Sequence, residues 1–142
     1  MEPVNAEIEA LLEERGRAAW DKDLDGLMAF FTPDVVYFDV VPPLRYVGAA
    51  ALRDRFADWF GRWQGPIGQQ LHELEILADG GVAAAHMLVR ASGTLLNGRE
   101  VDYFVRVSDI LRRSPEGWRI AHEHVSIPVD LATGTVALDL RP

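Results

Sequence analysis

No cysteine occurs among the 142 residues. That excludes disulfides, thiolate catalysis and zinc-thiolate centres, and it leaves the redox compartment open. Basic charge is in deficit: 14 Lys and Arg stand against 22 Asp and Glu, for a net charge of -8. Nucleic-acid binding needs clustered Lys and Arg to displace counterions from phosphates. The basic residues here are scattered, so no nucleic-acid partner is expected. Long apolar runs are missing too, none approaching the ~20 residues that span a bilayer. Met1-Glu2-Pro3-Val4-Asn5 lacks the basic-then-apolar order of a signal peptide. Internal repeats and low-complexity stretches are absent. A soluble cytoplasmic protein with no membrane partner is expected.

What is present is the composition of a globular protein, 49% hydrophobic and 25% charged, too rich in aliphatic and aromatic residues for disorder. A chain of this length folds as one domain and buries about two-thirds of its unfolded surface. We place a single domain over residues 1–142, with a core over about 5–128 and a tail over 129–142.

Asn5 is a candidate cap for a first helix whose apolar residues Ile8, Leu11, Leu12, Ala18 and Ala19 recur at helical spacing up to Trp20. Gly16 weakens its middle, which suits close packing against a neighbour. Asp23 caps a short second helix with Leu24, Leu27, Met28, Phe30 and Phe31 on its apolar face, ended by Thr32-Pro33-Asp34. Residues 35–41, Val-Val-Tyr-Phe-Asp-Val-Val, are β-branched and aromatic and predict a strand that Pro42-Pro43 stops. After Gly48 a third helix is predicted to about Trp63, with Leu52, Phe56, Trp59, Phe60 and Trp63 at spacings of three and four. That aromatic stripe reads either as core or, at Trp59 and Trp63, as the wall of a ligand cavity.

Gly65-Pro66-Ile67-Gly68 predicts a turn, and strands follow over 71–77, 82–92, 101–111 and 118–127. Asp79-Gly80-Gly81, Asn97-Gly98 and Ser114-Pro115-Glu116-Gly117 mark the turns of an antiparallel meander. Helices first and strands afterwards give an α+β domain. The tail, with Thr133-Gly134 as a turn, either folds back on the sheet or reaches a partner subunit. Along the last strand, period-two alternation places Trp118, Ile120, His122, His124 and Ser126 on one face and Arg119, Ala121, Glu123 and Val125 on the other. The first face is apolar at its start and polar at its end, as suits a sheet lining a cavity. His72 and His86 are lone strand histidines and read as structural.

Asp23-Leu24-Asp25-Gly26-Leu27, Phe31, Asp34, a strand ending near Asp39, Gly48 before a third helix, Arg106-Val107-Ser108-Asp109, and the Trp-x-Ile-x-His-x-His-x-Ser-x-Pro strand from Trp118 together resemble the SnoaL-like branch of the nuclear transport factor 2-like superfamily. The resemblance covers nearly the whole chain. It implies a cystatin-like, cone-shaped α+β barrel, with three N-terminal helices packed on a curved, mainly antiparallel sheet around a pocket. Relatives of that kind include ketosteroid isomerase, polyketide cyclases and limonene epoxide hydrolase, beside proteins that only bind or assemble, so fold alone does not give function. Against the isomerase pattern, Asp39 falls where that family keeps its carboxylate base. Arg106 falls where the isomerase keeps a protonated acid, and Arg15 on or near its oxyanion tyrosine.

The resemblance and the strand pattern give Asp39, His124 and His122 as candidate catalytic residues, with the histidines as acid/base partners of Asp39. Tyr37, Trp59, Trp63, Phe104, Arg106 and Ser126 are the candidate ligand-binding set. An ion pair between Arg106 and Asp39 would favour binding over catalysis. The expected role is isomerase or cyclase-type acid/base chemistry on an apolar, carbonyl-bearing molecule without a redox cofactor. The alternatives are non-catalytic binding of a small hydrophobic ligand, or a dimeric assembly module. A two-His, one-carboxylate metal site of His122, His124 and Asp39 is a third, minor reading, and no metal is expected. A homodimer is expected through the outer sheet face, with Arg119, Glu123, Val125 and the tail at the contact.

Overall fold

The computed structural model describes residues 2–142. Helix α1 spans Pro3–Trp20, with Pro3 in its first turn and Glu2 preceding it. Proline is preformed for that position, and its missing N–H would be unpaired there anyway. The helix thus starts ahead of Asn5, which is not the cap. At Gly16 a side chain would meet the Gln69 carbonyl oxygen at 3.0 Å, so the glycine serves the close approach of α1 to the sheet. Helix α2, Leu24–Met28, begins where the Asp23 carboxylate accepts from the Gly26 N–H at 3.0 Å, as predicted. Phe31, expected on that helix, instead opens strand β1, Phe31–Phe38. Helix α3, Ala49–Gly61, starts after Gly48, whose φ of +88° favours glycine. It ends before Trp63, which opens β3.

Strand β2 is Tyr46–Val47, β3 Trp63–Asp79, β4 Val82–Leu95, β5 Glu100–Ser114 and β6 Gly117–Ser126. The sheet order is β2-β1-β6-β5-β4-β3, with β1 parallel to β6 and every other pair antiparallel. The predicted meander from β3 to β6 is present. The sheet is nevertheless open, with β2 and β3 as its edges, so no barrel closes. The expected turn at residues 65–68 lies inside β3, as a register break between Gln64 and Gly68. Edge position makes this possible, because a proline there forfeits no ladder bond on its free side. A second break, between His72 and Glu75, carries Glu73 at φ +54°; such bulges bend a sheet.

The three helices pack on one face. Ile8, Leu12, Leu27, Leu52, Phe56, Ile67, Leu111 and Ile120 form the buried centre, each stabilising the fold by about 1.5–3 kcal/mol through burial. Strands β7, Val129–Asp130, and β8, Thr135–Val136, form a small hairpin. Beyond it Arg141 donates to Asp102 at 3.1 Å and lies over the Phe104 ring, so the tail folds back on the outer face of β5.

Candidate active site

Between α3, the end of α1 and the inner face of the sheet lies a cavity of about 250 Å³. Its walls are apolar. Phe56 and Trp59 come from α3, Trp63, Ala91 and Leu95 from β3 and β4, and Val105, Val107 and Val125 from β5 and β6. Tyr37 meets the Phe56 ring edge-on with centroids 5.6 Å apart, and Trp59 tilts against Phe56 at 5.9 Å. Aromatic pairs of this kind hold the wall rigid. The polar groups reaching this space are few: Arg15, Tyr37, Asp39, Arg55, Gln69 and Tyr103, with exposed Arg62 beside them.

Asp39 follows β1 directly and keeps the inward direction of Val35 and Tyr37. Its Oδ2 accepts from Arg55 Nε at 2.8 Å and its Oδ1 from the Val40 N–H at 2.7 Å. Arg55 reaches it because it lies one turn before Trp59 on the same face of α3. The pair with Arg106, which the sequence left open, does not form; Arg55 takes that place. Burial pushes the Tyr103 phenol up, and the nearby Asp39 charge adds to the effect.

A second polar cluster underlies the cavity. Arg15 Nη2 donates to Glu123 Oε2 at 2.5 Å. Glu123 and Asp109 are cross-strand partners on β6 and β5, 1% and 2% exposed. Burial first, then the charge of Glu123, hold the Asp109 carboxyl well above the usual range, against the pull of Arg15. The same order of causes, burial then Glu123, raises the Tyr37 phenol. Burial disfavours the Arg15 cation, but Glu123, Tyr37 and Asp109 around it more than offset this and raise its pKa. Leu12, Leu71, Met87 and Val89 seal the cluster from solvent.

The predicted face of β6 does not survive the fold. Leu111 pairs with Ile120 while Ile110 pairs with His122, which leaves Ala121 as a bulge. An extra residue reverses the parity of everything after it. Trp118 and Ile120 face the core, but His122, His124 and Ser126 turn to the outer face, and Glu123 and Val125 turn inward. His122 Nδ1 lies 2.6 Å from the Val36 carbonyl oxygen, and both imidazoles pack against Phe38. Neither histidine lines the cavity with Asp39, so they are not its acid/base partners. The three do not assemble a metal site, and no cluster of three or more His, Cys, Asp or Glu suited to a metal occurs among the described residues.

Arg106 is also outward, its Nε donating to Ser126 Oγ at 3.0 Å, so both leave the ligand-binding set. Phe104 leaves it as well, packed outside between His72 and Arg141. Tyr37, Asp39, Trp59 and Trp63 do line the cavity. Inward Glu123 and Val125 are not available to an outer-face contact. Sequence reasoning missed Tyr103, Arg55, Asp109 and Glu123. The Tyr103-x-Val105-x-Val107-x-Asp109-x-Leu111 alternation carried a signal for the first and third: those five share the apolar face of β5. His72 is half-buried and His86 exposed, both on the outer side of the sheet, and neither lines the cavity.

A family model described as SnoaL-like domain matches residues 8–130. An NTF2-like protein of unknown function from Pseudomonas putida KT2440 is similar in structure at TM-score 0.88 and 31% identity, over 96% of this chain and 95% of that one. A ketosteroid isomerase-like protein from Erwinia carotovora atroseptica superposes at TM-score 0.76 and 20% identity, over 89% and 97% of the two chains. An NTF2-like protein with a cystatin-like fold from Novosphingobium aromaticivorans does so at TM-score 0.71 and 20% identity, over 92% and 85%. The last two likenesses concern the fold alone. No curated protein matches the chain.

Proposed function

The chain belongs to the SnoaL-like domain family, and on that premise we propose that it binds a small, largely apolar, oxygen-bearing molecule in the cavity under α3 and moves a proton on it, as an isomerase or cyclase does, without a redox cofactor. One observation carries this reading: within apolar walls, the Asp39 carboxylate and the donor groups of Tyr37, Tyr103 and Arg15 all open on the same space. Asp39 serves as proton acceptor. Each of its oxygens accepts one hydrogen bond and keeps a further lone pair for a ligand proton. Tyr37 donates to the ligand oxygen, and the guanidinium of Arg15 stabilises the charge that grows there. The occupant is small. An apolar cavity of ~150 Å³ takes benzene, and drug-sized ligands need about 300 Å³ or more, so about 250 Å³ suits one or two fused rings.

The test begins with a thermal-shift screen of apolar carbonyl, enol, phenol and epoxide compounds, since binding to the folded state raises stability. A hit is then incubated with the protein and its product analysed. Asp39→Asn is expected to retain binding and to lower kcat by about 10²- to 10⁴-fold; unchanged turnover in that variant defeats the acid/base role. A second reading, binding without chemistry, is favoured by the engagement of both Asp39 oxygens, and recovery of every hit unchanged would establish it. The proposal extends to a cytoplasmic homodimer. Supporting it, Arg106, Ser108 and Ile110 of the outer face are exposed and none of the three helices packs there. A monomeric mass in light scattering at micromolar concentration would refute the dimer. No helix among the described residues is long and apolar enough to cross a membrane.

A further inference from the structure

We infer that Asp109 and Glu123 hold one proton between them and that this proton is delivered through Tyr37 to the oxygen of the bound ligand. The inference rests on the acid/base reading above and names the residues that supply its acid. Its first support is a count of charges. Two carboxyl groups are buried side by side as cross-strand partners, and a single cation, Arg15, faces them. Arg15 satisfies Glu123 Oε2, while Glu123 Oε1 and both oxygens of Asp109 meet no donor. Two ionised carboxylates sharing one site is a costly arrangement, and a shared proton removes the repulsion while giving the free oxygens a donor. The upward push on the Asp109 carboxyl by burial and by Glu123 agrees with this.

Its second support is direction. Tyr37 is the register partner of Glu123 across β1 and β6, and its side chain lines the cavity, so a proton leaving the pair toward the ligand passes through that hydroxyl. The groups facing the pair are Arg15 from α1 and Tyr37 from β1; Gln69 and apolar side chains close the remainder. The steps balance without a redox partner. As Asp39 takes a C–H proton from the ligand, the ligand oxygen takes the Tyr37 hydroxyl proton, Tyr37 takes one from Glu123, and Glu123 takes that of Asp109. The Asp109 carboxylate so formed remains close to Arg15. When Asp39 returns its proton to another carbon, the chain runs backward and the store is refilled.

Infrared difference spectroscopy of the ligand-free protein at neutral pH reads the store directly. The wild type is expected to show the carbonyl stretch of a buried protonated carboxyl, shifted in heavy water. Asp109→Asn removes it, Tyr37→Phe shifts it, and Asp39→Asn leaves it in place. Glu123→Gln also removes it, because Asp109 then ionises against Arg15, and this keeps the test open if the first variant folds poorly. Absence of the band in the wild type, its persistence in Asp109→Asn, or its indifference to Tyr37→Phe overturns the inference. On any ligand that is turned over, Asp109→Asn is expected to lower kcat about 10²-fold with little change in KM. Failure of the acid/base reading leaves the band intact, whereas failure of the inference leaves turnover intact in Asp109→Asn.

Discussion

Ile120 and His122 stand two residues apart on β6 yet face opposite sides of the sheet, because Ala121 between them has no partner on β5. The bulge brings Glu123 into the protein interior and sends both histidines of the last strand out of it.

His122→Ala and His124→Ala are therefore expected to leave ligand-induced thermal shifts unchanged. His122→Ala forfeits the contact with the Val36 carbonyl oxygen, for a stability loss of about 0.5–1.5 kcal/mol in urea unfolding. Loss of ligand binding in either variant would mean that an imidazole reaches the cavity.

Arg15 joins Glu123 across the interior, and the removal of one partner leaves a buried charge alone. Arg15→Ala is expected to cost about 3–5 kcal/mol, measured by the urea midpoint. In a double-mutant cycle with Glu123→Gln the coupling is about 0.5–3 kcal/mol. Additive losses would show that the two do not interact.

The raised Asp109 pKa fixes the sign of a pH effect. Above its ordinary unfolded value and below its folded value, the native state holds a proton that the unfolded chain has released. Stability contributed by this group is thus greatest in acid and falls as pH rises through that window. Asp109→Asn has no such proton to lose, so the stability of the wild type relative to the variant declines from about pH 4 upward. Urea titrations at several pH values check this, and a constant difference between the two proteins contradicts it. The exposed Asp34, held low beside Thr32 and Arg112, and Asp102, held low chiefly by hydrogen bonds from Arg90, act in the opposite sense and cancel in the comparison.

Ala91 faces the cavity from β4 and is 4% exposed. Ala91→Leu adds three carbons to the open space, so it is expected to abolish ligand-induced thermal shifts. The overpacking penalty of ~1–3 kcal/mol that fills a tight core is not expected, because the room is already there. Retained ligand shifts would place the binding site elsewhere.

How much of this was legible in the sequence depended on range. The α+β order, the Asp23 cap and the turns at residues 79–81, 97–98 and 114–117 follow from local propensity and periodicity, which act over a few residues, whereas Asp39 as a pocket carboxylate came from the family resemblance. The helix-or-strand choice at Phe31 and Trp63 failed within that range, since aromatic residues suit either element once packed. Arg55 lay on the same helical stripe as Trp59 and was open to notice, but nothing local matched it to Asp39.

The amino-acid order by itself determined that there would be an apolar sheet face, a covering set of helices and a carboxylate at the end of β1. The tertiary structure decided which charges meet. Arg15 and Glu123 are separated by 108 positions, and their encounter depends on how α1 lies across the sheet. It also depends on Ala121, whose small side chain fits a regular strand and a bulge equally well. Period-two alternation assigns faces only while residues pair one to one, and the neighbouring strand, through the pairing of Ile110 and Leu111, sets where that count breaks.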